Sequence, residues 1–145
     1  MQDSGAVLLD DTSVIFNGIL LGGLSTGYKN GEHQGRMKKT PAPDLGWLKK
    51  YSEADGFKLL LSHHPEYFIE YIKPLSIDLI LSGHAHGGQC RIFGKGLIAP
   101  GQGFLPKYTH GLYDDRLIVG SGVGNQFIVP RIFNPCEIIE IEING

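Results

Sequence analysis

Residues 57–89 read FKLLLSHHPEYFIEYIKPLSIDLILSGHAHGGQ, and their pattern decides the fold class. FKLLLS (57–62) and IDLILSG (77–83) are nearly continuous apolar runs, as expected of short strands covered on both faces. Between them, Pro65 suits a first helical position, Phe68, Ile69 and Ile72 fall at helical spacing, and Pro74 stops the helix. A right-handed strand–helix–strand crossover makes the two strands parallel. His63 and His64 then lie just past the end of one strand, and His84 and His86 past the end of the next. Open α/β sheets place their ligands at that carboxyl edge.

The flanks extend this reading. AVLLD (6–10), SVIFNG (13–18) and ILLGGLS (19–25) are expected as short strands, and 26–40 as a polar loop in which His33 is solvated. Pro41 to Ser52 is expected as a short helix, with Asp44 early, Leu45 and Leu48 on one face, Lys49 and Lys50 late, and Trp47 packing. QCRIF, GLIAP, DRLIVGSG, FIVPRIF and CEIIEIEI read as further short strands. The last alternates Ile138, Ile139, Ile141 and Ile143 with Glu137, Glu140 and Glu142, as a half-exposed strand does. With no internal repeat and no linker, residues 1–145 are expected to form a single α/β domain, β-rich with two short helices.

Composition narrows the function classes. A hydrophobic fraction of 41% and a charged fraction of 19% describe a globular chain. The net charge of −2 and the absence of a dense Lys/Arg block give no electrostatic case for nucleic acid. No apolar run approaches the ~20 residues of a membrane span. The start, MQDSGAVLL, lacks the pattern of a signal peptide. Cys90 and Cys136 form no CxxC and are expected as reduced thiols of a cytoplasmic protein.

The histidines point to metal. In extended geometry His84 and His86 share a side with Cα atoms roughly 6.5 Å apart, and of the adjacent pair His63–His64 only one side chain should join them. Imidazole nitrogens bind metals at about 2.0–2.1 Å. Two rings from such a turn can meet at one ion, or each serve one of two ions about 3.5–4 Å apart. Gly83, Gly87 and Gly88 permit unusual backbone angles and close approach. Histidines at strand ends are often surface groups bonded to backbone, but three at two adjacent strand ends, within Gly-His-x-His-Gly-Gly, favour a metal. Rival HxH folds fit poorly. Gly88 and Gln89 break the HxHxDH pattern of metallo-β-lactamases, and 59 residues after His86 are too few for an amidohydrolase barrel of ~250. The helix after Pro65 argues against a cupin.

LLLSHHPEYF followed by LILSGHAHGGQ resembles the calcineurin-like metallophosphoesterases, in particular the bacterial branch whose last motif reads GHTHGGQ. PKYTHGLY, LIVGSGVGN and PRIFNPCEIIEIE are similar to that branch's ending, so the resemblance covers nearly the whole chain. It implies the C-terminal half of a four-layer α/β/β/α sandwich. It also implies a metal-dependent hydrolase that cleaves phosphomono- or phosphodiesters at two divalent ions, drawn from Mn, Fe, Zn, Ni or Co. Carried over, His63 and His84 serve one ion and His86 the other, while His64 falls at a variable position. Gly87, Gly88 and Gln89, with His64, are expected on the substrate side. Arg91 is a candidate anion contact or a solvated strand residue, His110 a loop residue near or away from the site, and Asn125 structural.

The departure from the family is equally informative. Its D-x-H, G-D-x-x-D and G-N-H-[DE] motifs, which supply carboxylate, Asn and further His groups, do not occur in residues 1–62. The chain is therefore expected to hold at most one weakly bound ion and to lack turnover alone. Imidazoles hold Zn, Ni or Cu better than Mg. An uncovered apolar sheet face is expected to self-associate or to bind the missing half. Membrane association would require an upstream segment. The alternative is a non-catalytic metal-binding or interaction subunit derived from a phosphoesterase.

Overall fold

The structure, a computed structural model, describes residues 5–28, 39–124 and 130–144. His33, Asn125 and residues 127–129 of the expected strand FIVPRIF lie outside the described residues. A six-stranded mixed sheet organises the α/β fold. Its members are β1 (Thr12–Phe16), β2 (Ile19–Leu24), β3 (Lys58–Ser62), β4 (Leu79–Ser82), β9 (Gly111–Tyr113) and β10 (Leu117–Val119). The spatial order is β1-β2-β3-β4-β10-β9. The strands β2, β3, β4 and β10 run parallel, and the two edge strands are antiparallel to their neighbours. The expected parallel pairing of the two apolar runs is present, with Leu60 opposite Ile80. Two small ribbons, β5 (Arg91–Ile92) with β6 (Lys95–Gly96) and β7 (Ile98–Ala99) with β8 (Gly103–Phe104), fill the segment between β4 and β9.

The crossovers differ from the sequence pattern in instructive ways. Helix α1 runs from Leu45 to Ser52, shorter than 41–52, because the Asp44 side chain accepts from the Trp47 N–H at 2.9 Å and caps the first turn. Leu48 and Tyr51 face the sheet, while Leu45 is exposed. The second crossover is a π-helical turn, Phe68–Ile72, with the Lys73 N–H donating to the Phe68 carbonyl. A π turn holds more residues than an α turn. Phe68 and Ile72 are buried and Ile69 is turned to solvent, contrary to an α-helical face.

One sheet face is sealed by these elements. Leu60, Ile80, Leu117 and Val119 are fully buried there against Leu48, Tyr51, Phe68, Ile72 and Tyr108. Gly22 makes the approach of α1 possible: a Cβ on it would lie 2.5 Å from the Tyr51 ring, whose hydroxyl donates to the Leu20 and Leu59 carbonyls. On the opposite face Leu61 is 39% exposed and Phe16 62%. Coverage on both faces, as the apolar run implied, is therefore only partial among the described residues. Residues 6–10 form no strand. They cross that face, with Leu9 lying over the bare backbone of Gly23, and border an apolar groove of about 650 Å³ that runs past Leu61 and Leu81 to His63. CEIIEIEI also forms no strand among the described residues. Its isoleucines alternate correctly but find no neighbouring strand to pair with, and Ile138 is 95% exposed. Cys90 and Cys136 are free thiols. Among the described residues no helix is long and apolar enough to cross a membrane.

Candidate metal centre

The ends of β3 and β4 bring three imidazoles together. His63 Nε2 and His84 Nδ1 stand 3.2 Å apart, and the ring centroids of His63, His64 and His84 lie 4.3–5.3 Å from one another. The alternation rule, which admits only one of His63 and His64, fails here because β3 ends at Ser62 and the pair follows in a bend. The two rings nevertheless differ. His64 is 4% exposed, between Tyr67 and the Glu66 carboxylate, which lies 3.2 Å from its Nδ1 and accepts from the Thr40 hydroxyl at 2.5 Å. His63 instead faces the apolar groove. Burial, then the neighbouring His64, lowers the pKa of both His63 and His84, the latter to about 4. Both rings are therefore neutral at pH 7, the form that binds metal. Burial pushes the Glu66 carboxyl up, but the bonds from His64 and Thr40 outweigh it and hold the group below its ordinary range.

This arrangement fits a metal ion. Two nitrogens on one tetrahedral ion at about 2.0–2.1 Å are separated by about 3.3 Å, close to the separation found between His63 and His84. A second set is compact as well: His64, Glu66 and His84 offer ligand atoms all within 4.8 Å of one another.

The turn that carries His84 and His86 is not extended. His84, His86 and Gln89 have φ of 63°, 47° and 56°, and residues 86–88 form a single 3-10 turn. Non-glycine residues in this region cost of order 1–3 kcal/mol each and persist where surrounding contacts over-determine them. Those contacts come from the chain's end. Asn134 Nδ2 donates to the His86 carbonyl at 2.6 Å and to the Gln89 carbonyl at 3.1 Å. Arg91 Nε donates to the Gly87 carbonyl at 3.0 Å, and its Nη2 to the Ser121 hydroxyl. Arg131 donates to Ser121, Gly124, Asn134 and Pro135. Gly87 and Gly88 are buried within this packing, and the Gly88 N–H donates to the Ala85 carbonyl. The His86 ring lies beside Gly124, on whose backbone a Cβ would stand 3.5 Å from the imidazole.

Comparison with known sequences gives the family. A protein of Campylobacter jejuni is 39% identical over 109 residues, which is 72% of this chain and 27% of that protein. One of Helicobacter pylori is 33% identical over 112 residues, 74% of this chain and 29% of its own length. One of Aquifex aeolicus is 31% identical over 99 residues, 66% of this chain and 36% of its own length. All three carry the name "uncharacterized metallophosphoesterase". The chain belongs to the metallophosphoesterase superfamily. It spans roughly a third or less of the curated relatives it matches. No family model matches it, and no solved structure matches it.

Among the residues of this metallophosphoesterase chain singled out from sequence, His63, His64 and His84 meet directly, and His86 is near enough for its charge to lower the pKa of both His63 and His84. His110 lies elsewhere, in a cleft with Lys95 and Lys107, where its Nδ1 is 2.9 Å from the Thr109 hydroxyl. Arg91, a partly exposed residue of β5, donates from Nε to the Gly87 carbonyl and from Nη2 to the Ser121 hydroxyl. Sequence reasoning missed Glu66, Thr40, Arg131 and Asn134. The PRIFNPCE segment carried the signal for the last two, since its polar residues interrupt an apolar strand pattern.

Proposed function

We propose that this chain supplies the histidine side of a two-metal phosphoesterase centre that hydrolyses phosphomono- or phosphodiesters. The observation that carries the reading is the 3.2 Å approach of His63 Nε2 to His84 Nδ1 at the carboxyl ends of adjacent parallel strands. His63 and His84 present neutral imidazoles to one ion, and His86, two residues on, serves a second. Divalent ions there, when bound, supply Lewis-acid polarisation of phosphoryl oxygens. The chain's own residues fix the ligand geometry and exclude water from one side, through the buried His64–Glu66–Thr40 contact. Gly87, Gly88, Gln89 and His64, expected on the substrate side, are buried here, and within this reading they support the wall of the site from behind. The open sheet face, with Phe16 and Leu61, receives either the carboxylate-bearing part of the full-length enzyme or a second copy. Alone, the chain holds at most one ion weakly and turns over no substrate.

A second reading is favoured by the compact His64, Glu66 and His84 set, which includes a carboxylate. Glu66 Oε1 already bonds Thr40 and His64 there, although its Oε2 is buried without a hydrogen-bond partner among the described residues. The His63–His84 contact lies instead at the exposed edge, with His63 on the groove. The outward pair is therefore preferred.

The test is hydrolysis of bis-p-nitrophenyl phosphate with Mn²⁺. The chain alone should be inactive. Addition of a polypeptide carrying the D-x-H, G-D-x-x-D and G-N-H-[DE] motifs should give turnover that His84→Ala abolishes. Hydrolysis by the pure chain, sensitive to His84→Ala, would refute the inactivity. Silence of the complemented pair refutes the enzymatic reading and leaves a metal-binding or interaction subunit.

A further inference from the structure

We infer that Asn134 is a positioning residue for the metal-binding turn: its carboxamide locks His84–Gln89 in the strained backbone form that presents His84 and His86. The inference rests on the metal-centre reading above and goes beyond it, since Asn134 lies 48 positions from His86 in sequence and is no ligand. Asn134 is 4% exposed, so its amide is dedicated to the protein interior. Both recorded bonds of its Nδ2 end on carbonyls of the turn, one on His86 and one on Gln89, bracketing the two glycines. Its Oδ1 accepts from Arg131 Nη2 at 3.3 Å, which sets the amide's orientation. Gly87 is cut to receive it, for a Cβ there would lie 2.2 Å from Oδ1. A donor fixed from behind, reaching the carbonyls on either side of an unfavourable φ pair, holds a conformation that His84 and His86 would otherwise leave. Groups that orient ligands in this way set metal affinity without touching the ion.

The test titrates Co²⁺ into the full 145-residue chain, followed by visible absorption. Asn134→Asp keeps the shape and the Arg131 bond but removes both donors to the turn. It and Asn134→Ala should weaken Co²⁺ binding by about tenfold and alter the ligand-field spectrum. Arg116→Ala is the control for a structural loss. It removes bonds to the Lys73, Leu75 and Ile77 carbonyls, and should lower the melting temperature with the Co²⁺ affinity intact. A second measurement needs no variant. Because coupling is reciprocal, Zn²⁺ should slow exchange of the Asn134 side-chain amide protons in ¹⁵N NMR of the wild-type chain. Wild-type affinity in Asn134→Asp, or exchange indifferent to Zn²⁺, overturns this inference alone. Failure of the wild-type chain to bind Co²⁺ overturns the metal reading and this one with it.

Discussion

Gly88 and Gly96 meet backbone to backbone: a Cβ on Gly88 would lie 2.2 Å from the Gly96 Cα, and one on Gly96 would lie 2.6 Å from the Gly88 Cα. The β5–β6 ribbon thereby props the metal-binding turn from below. Gly96→Ala should force the two backbones apart, cost about 1–3 kcal/mol in urea unfolding and weaken Co²⁺ binding. Gly94→Ala is the contrast. Its φ of 76° makes alanine strained, but nothing lies within 4 Å of the added methyl. It should cost about 1–2 kcal/mol and leave Co²⁺ affinity unchanged. Equal metal affinity in the two variants would remove the propping role.

Leu60 and Leu61 are neighbours on opposite faces of β3, one fully buried and the other on the open side. Leu60→Ala should cost about 2–5 kcal/mol in urea unfolding, as core truncations do. Leu61→Ser should cost about 1 kcal/mol or less. If the open face self-associates, Leu61→Ser combined with Phe16→Ser should shift sedimentation toward monomer. A wild-type chain that is already monomeric at high concentration would exclude a second copy as the occupant.

Much of the sheet was legible in sequence because β2, β3, β4 and β10 are apolar runs between turn signals. Parallel pairing followed from the helix-forming segment between two of them. What escaped has a physical cause in each case. AVLLD and CEIIEIEI carry strand patterns, but a strand exists only with a neighbour to pair with, and no single segment declares its neighbour. The π turn at Phe68–Ile72 differs from an α turn by one residue per turn, too little for apolar spacing to separate over five residues. At the site, the residue types were readable and the backbone was not. Alternation failed for His63 and His64 because the strand had already ended. The positive φ at His86 and Gln89 comes with carbonyls that Asn134, remote in sequence, holds.

Glu137 gives the turn's support a pH dependence. It accepts from the Ser121 backbone N–H at 2.7 Å and from the Ser121 hydroxyl, to which Arg91 also donates. The hydroxyl bond is the main cause that holds its carboxyl below the ordinary 4.5, against a smaller opposing effect of burial, with Arg91 and His110 adding to the depression. A carboxyl whose pKa falls on folding contributes stability that is complete above its unfolded value and is lost as pH drops through the folded one. Glu137→Gln should therefore melt below wild type at pH 7, and the difference should shrink as pH is lowered from 4.5. A difference that persists unchanged to the lowest pH at which the chain stays folded would assign the effect to packing rather than charge.

The two candidate ligand sets share His84, to which the outward pair adds His63 and the buried set adds His64 and Glu66, which makes them separable. His84→Ala should abolish Co²⁺ binding under either. If the outward pair holds the ion, His63→Ala should weaken binding by far more than Glu66→Gln. Glu66→Gln keeps the volume of the side chain but removes the charge that His64 and Thr40 stabilise. Its acceptor bonds lose their charge assistance, so it should cost stability of about 1–2 kcal/mol while the Co²⁺ spectrum keeps its shape. The reverse order, with Glu66→Gln abolishing binding and His63→Ala tolerated, would move the ion to the buried set. The spectrum carries the distinction independently of stability. A site formed by His63, His84 and water offers nitrogen and solvent oxygen, whereas the buried set adds a carboxylate whose removal must change the ligand field.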